Sequence, residues 1–289
     1  MSTSNFTHKP KAGFAIIDLL LLAVFLGSFV ILAGAAWENA RKRDQSAECL
    51  SNQRQLITAW TRHASDNEET VCNNFTLPAT LQTITDGTFE NWANNVMTWS
   101  AGTGTDSRSV TNLDWARRSV LGPYAVDPVG MAKCPSDNYL SAVQRSAKWK
   151  ARVRSYAMNA FMGRADTSPS PPNGRSWAEG GAYRQFLKTR DIPDPGKTWV
   201  TIEEHADSIN DGFFINGISA SAWEDRPSTF HYGGTTFSFA DGHAELHKWK
   251  SRTSLYPVRF MYGSSRPFDA LGRQDFAWYK DHVGYVRYP

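Results

Sequence analysis

Eight side chains able to do acid–base or metal chemistry crowd the last third of the chain: Glu203, Glu204, His205, His231, Asp241, His243, Glu245 and His247. Imidazoles and carboxylates at that density suggest a metallohydrolase, in which they would hold a divalent ion and its nucleophilic water. Spacing argues against it. His243 and His247 lie four residues apart in an extended run, so ~13 Å separates them, too far to share an ion as the same pair on a helix would. His243 and Glu245, ~7 Å apart, could share one only with help from another strand. No Gly-x-Ser-x-Gly is present, and Gly233-Gly234 precedes a strand and opens no helix, so neither a serine hydrolase nor a phosphate-binding loop is indicated. The chain is therefore expected to be no enzyme, with these groups on a solvated or subunit-facing sheet face.

Asp207, Asn210 and Asp211 offer hard oxygen ligands in one tight polar turn, and calcium is the cofactor such a turn could hold. Ile209 occupies a ligand position, so the turn is no EF-hand, and turns are rich in Asp and Asn for conformational reasons alone.

The elements that position these residues follow from periodicity. Strands are expected at Thr198–His205 and Gly212–Gly217, flanking the polar turn. In TTFSFADGHAELHKW, Asp241-Gly242 between two alternating runs predicts a hairpin with a two-residue turn. That register pairs Phe237 with Leu246 and Phe239 with Ala244 on the buried face, leaving Thr236, Ser238, Ala240, His243, Glu245, His247 and Trp249 on the other. His231 would lie ~30 Å from Asp241 along a straight strand, unless the chain reverses at Gly233-Gly234.

At the other end, Phe14–Ala36 is a 23-residue apolar stretch with one charged residue, Asp18, long enough as a helix to span a hydrocarbon core of ~30 Å. The apolar run is longer than the ~7 to 15 residues of a cleaved secretory signal. No Pro or Gly occurs from Ala35 to Phe75, and Cys49, Leu50, Gln53, Leu56, Ile57, Trp60 and Ala64 recur at helical spacing, so one helix is expected from Phe14 to about Asn67. Between Glu68 and Gly130 no period is visible, and irregular loops and short elements packed over the helix are expected. Lys plus Arg number 31 against 28 Asp plus Glu, a net +3 with no basic run, so nucleic acid is not an expected partner.

KAGFAIIDLLLL resembles the leader junction of type IV prepilins and pseudopilins. The resemblance implies cleavage after Gly13 by a prepilin peptidase, methylation of the new N-terminal Phe14, and an assembly role for Asp18 as the acidic fifth residue, where the family usually has Glu. Further segments resemble the same family's members that carry a His-x9-Asp-Gly signature: CLSNQRQ in the stem, Cys134-Pro135-Ser136-Asp137, RSYAMNAFMG, and His231 with Asp241-Gly242.

The resemblance implies residues 1–13 as leader, 14–37 as transmembrane helix, 38–67 as amphipathic stem and 68–289 as head. The implied fold is α+β and type IV pilin-like, a lollipop with a long N-terminal helix packed on an antiparallel sheet. It also implies an inner-membrane protein with a cytoplasmic N-terminus and a periplasmic or extracellular head, although Arg41, Lys42 and Arg43 after the span outweigh Lys9 and Lys11 before it. An oxidising compartment favours cysteine pairing. Both the stem and the Cys-Pro-Ser-Asp segment carry Cys in the family, which implies Cys49 with Cys134 and leaves Cys72 free.

The expected function is a structural subunit of a type IV pilus-like or type II secretion-like filament, with other pilin-like subunits as partners. One alternative is a membrane-anchored carbohydrate- or surface-binding module using some of the 11 Trp, 10 Tyr and 16 Phe as stacking platforms. Another is a membrane-anchored metallohydrolase, which would require the His and carboxylate groups to converge in one pocket.

Overall fold

The computed structural model describes residues 16–168, 174–263 and 265–284. Gly13, Phe14 and the leader lie outside them. The chain divides into two compact units, Met1–Asp44 and Gln45–Pro289. The described part of the first is helical, and its apolar side chains from Ile16 to Trp37 are exposed. They belong to α1 (Ile16–Asp66), the one described helix long and apolar enough to cross a membrane.

The second unit is α+β. The C-terminal part of α1 buries Cys49, Asn52, Gln53, Leu56, Ile57, Ala59, Trp60 and Ala64, a stripe at the three-and-four spacing of one helix face. Short helices follow: α2 (Leu77–Asp86), α3 (Thr105–Ser109), α4 (Leu113–Arg117) and α5 (Ala142–Ser146). Five strands, β1 (Tyr156–Asn159), β2 (Trp199–Glu203), β3 (Phe213–Phe214), β4 (Gly234–Phe239) and β5 (Ala244–Lys248), form one sheet in the order β3-β1-β2-β4-β5. Helix α6 (Ala270–His282) ends the described chain.

The sheet departs from expectation in two ways. It is mixed, because β3 pairs with β1 in parallel (Met158↔Phe213) while the remaining pairs are antiparallel. The turn at Asp207–Asp211 therefore closes no hairpin, since β1 lies between β2 and β3. Secondly, the β4–β5 hairpin is shifted by one residue. Phe237 pairs with Glu245 and Thr236 with Leu246. The Phe239 amide donates to the His243 carbonyl, leaving a three-residue loop, Ala240-Asp241-Gly242, with Gly242 at φ +99°. Three-residue hairpin loops place a left-handed residue, usually glycine, at this position.

A one-residue slip exchanges the two faces. Phe237 and Phe239 share their face with His243, Glu245 and His247, and Thr236 and Ser238 share theirs with Leu246 and Ala244. Both faces of β4 are buried because both are covered. On one, Gln53 of α1 donates to the Thr236 carbonyl (2.8 Å). On the other, Phe237 meets Trp278 of α6 with ring centres 5.2 Å apart, and His247 stacks on Trp278 at 3.6 Å. Of the side chains expected on a solvated face, His247 and Trp249 are roofed by α6, Thr236 and Ser238 are buried on the α1 side, and His243 and Glu245 are exposed.

A register irregularity in β2 sets up the α1 side. Trp199 pairs with Phe239, but Thr201 pairs with Ser238, so Val200 is an extra residue. Trp199 is thereby directed to α6, 6.0 Å from the Tyr279 ring, while Thr201 and Glu203 face α1.

Nothing would lie within 4 Å of a Cβ added at Gly242, so replacing it has only a conformational cost. Gly242→Ala is expected to destabilise the protein by about 1–2 kcal/mol, the cost of a left-handed L-residue, as read by the midpoint of urea unfolding.

Candidate functional site

The signature residues bracket β4. His231 precedes its first residue and Asp241-Gly242 follows its last, so a six-residue strand with its turns accounts for the spacing between them. The chain does reverse before β4: Tyr232 and Gly233 have positive φ, and the Gly234 amide donates to the His231 carbonyl (3.1 Å). That reversal takes His231 away from Asp241 and into the interior.

There it meets three other buried side chains. Cys49 comes from α1, Cys134 from the loop after a 3-10 turn (Gly130–Ala132), and Glu203 from the end of β2. Cys49 and Cys134 form a disulfide, with Cα atoms 5.5 Å apart, an ordinary span for such a bond. His231 Nε2 lies 3.2 Å from the Glu203 carboxylate and 3.5 Å from Cys134 Sγ, and Cys49 Sγ lies 3.7 Å from Glu203 Oε1. The four are at most 1% exposed. A buried carboxylate needs such partners, since an uncompensated one costs several kcal/mol.

Neighbours fix the orientation of these groups. The Ser228 hydroxyl donates to Glu203 Oε2 (2.8 Å) and its amide to the Glu203 carbonyl (2.9 Å). Ser46 Oγ lies 3.0 Å from His231 Nδ1, and the Ser136 amide donates to Cys134 Sγ (3.3 Å). Asn52 donates to the Lys133 carbonyl (2.9 Å), tying the loop bearing Cys134 to α1. Asp137 accepts from Ser155 (2.8 Å) and Arg152 (3.3 Å). Burial works against its charge, but Lys133 and Arg152 outweigh that and bring its carboxyl down to about 2.

The remaining candidates from the sequence are dispersed. Glu204 accepts from the Ser208 hydroxyl, and burial, followed by the nearby Asp225 charge, pushes its carboxyl well up. His205 lies 3.1 Å from the Tyr256 carbonyl, brought down to about 4 by burial and then by Arg226. Asp241 and His243 pair with each other in the hairpin loop (2.6 Å). His247, stacked on Trp278, is brought down to about 4 by burial. Of the eight, Asp241 and His243 meet in the exposed hairpin loop, and Glu203 and His231 meet in the interior beside two cysteines.

The Asp207–Asp211 turn works as a latch. Asp207 accepts through Oδ2 from the Arg259 amide (2.6 Å) and through Oδ1 from the Met261 amide (3.2 Å). The Asn210 carbonyl accepts from Met97, and Asp211 Oδ1 from the Phe213 amide (3.2 Å). The two carboxylates are committed to separate backbone amides.

Burial pushes the Asp211 carboxyl up to about 6. A folded-state value above the unfolded one means its contribution is complete below about pH 4 and is lost as pH rises through about 6. Asp211→Asn should therefore gain about 2–3 kcal/mol relative to wild type between pH 4 and pH 7.5, measured by urea unfolding at each pH. A constant difference would contradict this assignment.

Six of the 11 tryptophans, Trp60, Trp92, Trp99, Trp199, Trp223 and Trp249, are at most 8% exposed, which reduces the aromatic surplus behind the binding-module alternative.

Convergence of two cysteines, a histidine and a glutamate from four distant segments left no spacing signal in the sequence; Ser46 and Ser228 had none at all. The chain matches no family model, no curated protein and no solved structure.

Proposed function

We propose that the protein is a non-catalytic structural subunit of a type IV pilus-like or type II secretion-like filament, released from its leader by a prepilin peptidase and held in the inner membrane before assembly. The observation that carries this reading is the order of features along one helix. Gly13-Phe14 precedes the described helix in the sequence, Asp18 lies in its first turn, an apolar run long enough to cross a membrane follows, and the same helix continues into a stripe packed beneath a sheet. A pilin-like subunit needs that order, because the apolar half must leave the bilayer and pack on its neighbours while the stem holds the head. Among the described residues the acid–base candidates lie apart, which supports the structural reading over the metallohydrolase alternative, and the buried tryptophans count against the binding module.

The reading is tested by shearing cells that express the chain together with a prepilin peptidase and its companion subunits. Recovery of the chain in the sedimenting filament fraction is expected, in a peptidase-dependent manner. Retention of the whole population as membrane monomer would overturn it.

A further inference from the structure

We propose that, when the Cys49–Cys134 bond is reduced, Cys49, Cys134, Glu203 and His231 bind one zinc ion in a closed tetrahedral site. The four donor atoms all lie within 4.8 Å of one another. With Zn–S near 2.3 Å and Zn–N or Zn–O near 2.0–2.1 Å, a tetrahedron has sulfur-to-nitrogen and sulfur-to-oxygen edges of about 3.5 Å and a nitrogen-to-oxygen edge of about 3.3 Å. The corresponding separations here are 3.5 Å (Cys134 to His231), 3.7 Å (Cys49 to Glu203) and 3.2 Å (His231 to Glu203). The two sulfurs must move apart, to about 3.8 Å, which follows when their bond is broken, and the two remaining sulfur-to-nitrogen and sulfur-to-oxygen separations lie within 4.8 Å. Two thiolates with an imidazole select zinc over the harder calcium or magnesium.

The surroundings are those of a metal site. Ser46 faces His231 Nδ1, and a hydroxyl can accept there, fixing the tautomer that leaves Nε2 free for the ion. Ser228 holds the second oxygen of Glu203. The Ser136 amide, two residues beyond Cys134, already points at its sulfur, where it would stabilise a thiolate. Four protein ligands leave no open position, so the ion would be structural.

The exchange balances. A dithiol reductant gives two electrons and two protons to the S–S bond, which breaks to two thiols while the reductant becomes a disulfide. Zinc then displaces both thiol protons and two S–Zn bonds form. Disulfide and metal are alternatives, so the same four side chains would hold α1 to the sheet in the reduced and the oxidised chain.

The full-length chain in detergent, reduced with a phosphine and incubated with zinc sulfate, should retain one zinc ion per chain after gel filtration, and the oxidised chain none. Cobalt in place of zinc should give thiolate-to-cobalt charge-transfer and tetrahedral d–d bands in the wild-type protein, a readout that needs no variant. His231→Ala should weaken binding by roughly a hundred-fold or more and Ser46→Ala by roughly 10- to 100-fold, while Cys72→Ser, remote from the cluster, should bind as wild type does. A reduced chain that retains no zinc, a cobalt spectrum without the thiolate band, or equal zinc in oxidised and reduced protein would each overturn the proposal.

Discussion

Cys134→Ala is expected to lower the stability of the oxidised, metal-free protein by about 4–5 kcal/mol. The bond closes a loop with a sequence separation of 85 residues, and the loss of closure entropy for a loop of that length accounts for the figure. It also joins α1 to the loop carrying the Cys-Pro-Ser-Asp segment, where Asn52 donates to the Lys133 carbonyl. Urea unfolding of wild type and variant, each with and without dithiothreitol and with chelator throughout, checks this. Reductant should cost the wild type about as much as the mutation does and should leave the variant unchanged. An equal midpoint for the two oxidised proteins would show that the loop is already constrained by other contacts.

The second large effect is on assembly. Asp18 lies in the first turn of α1, within the unit that ends at Asp44, and the core of the second unit begins beyond it. Asp18→Ala should therefore leave a folded, membrane-held monomer with unchanged head stability. In a filament the carboxylate would face the Phe14 amine of an adjacent subunit, and removing it leaves that charge buried and unpaired. Such a loss costs about 3–5 kcal/mol, or roughly a hundred- to several thousand-fold in each subunit addition. Quantifying the variant against wild type in sheared filaments, with head stability measured in parallel, separates assembly from folding. Equal incorporation would mean that Asp18 has no such role.

Legibility of the sequence differed by element, for physical reasons. Helix α1 was readable to within a few residues because a long apolar run leads into a stretch without Pro or Gly whose apolar residues recur at helical spacing, and both Cys49 and Gln53 fell on its buried stripe. The β4–β5 hairpin was readable as a hairpin, but Asp-Gly is compatible with both two- and three-residue loops, and that one-residue ambiguity exchanged its faces. The parallel pairing of β3 was not readable, since β3 has only two residues and its place is set by the Asp207 and Asn210 latch, a long-range effect. Helix α6 was missed because its buried positions include Gly272 and Asp275, which carry no apolar period. Asp275 accepts from the amides of Lys250 and Ser251, so its burial serves the turn after β5.

The candidate site was legible residue by residue and illegible as a site. Cys49, Cys134, Glu203 and His231 each stood out by type, yet their meeting depends on three structural details. Val200 bulges so that Glu203 faces α1, the chain reverses at Tyr232-Gly233, and Asn52 ties the Cys134 loop to the helix. None of these is local to the residues it brings together.

The central claim, that this is a processed prepilin-like subunit, is tested most directly by the mass of the mature N-terminus. The chain should be purified from cells with an active prepilin peptidase and the N-terminal peptide analysed by mass spectrometry. A peptide beginning at Phe14 and carrying one added methyl group is the predicted result. An intact Met1 form, or a chain beginning at Ala36 as after signal-peptide cleavage, would contradict it.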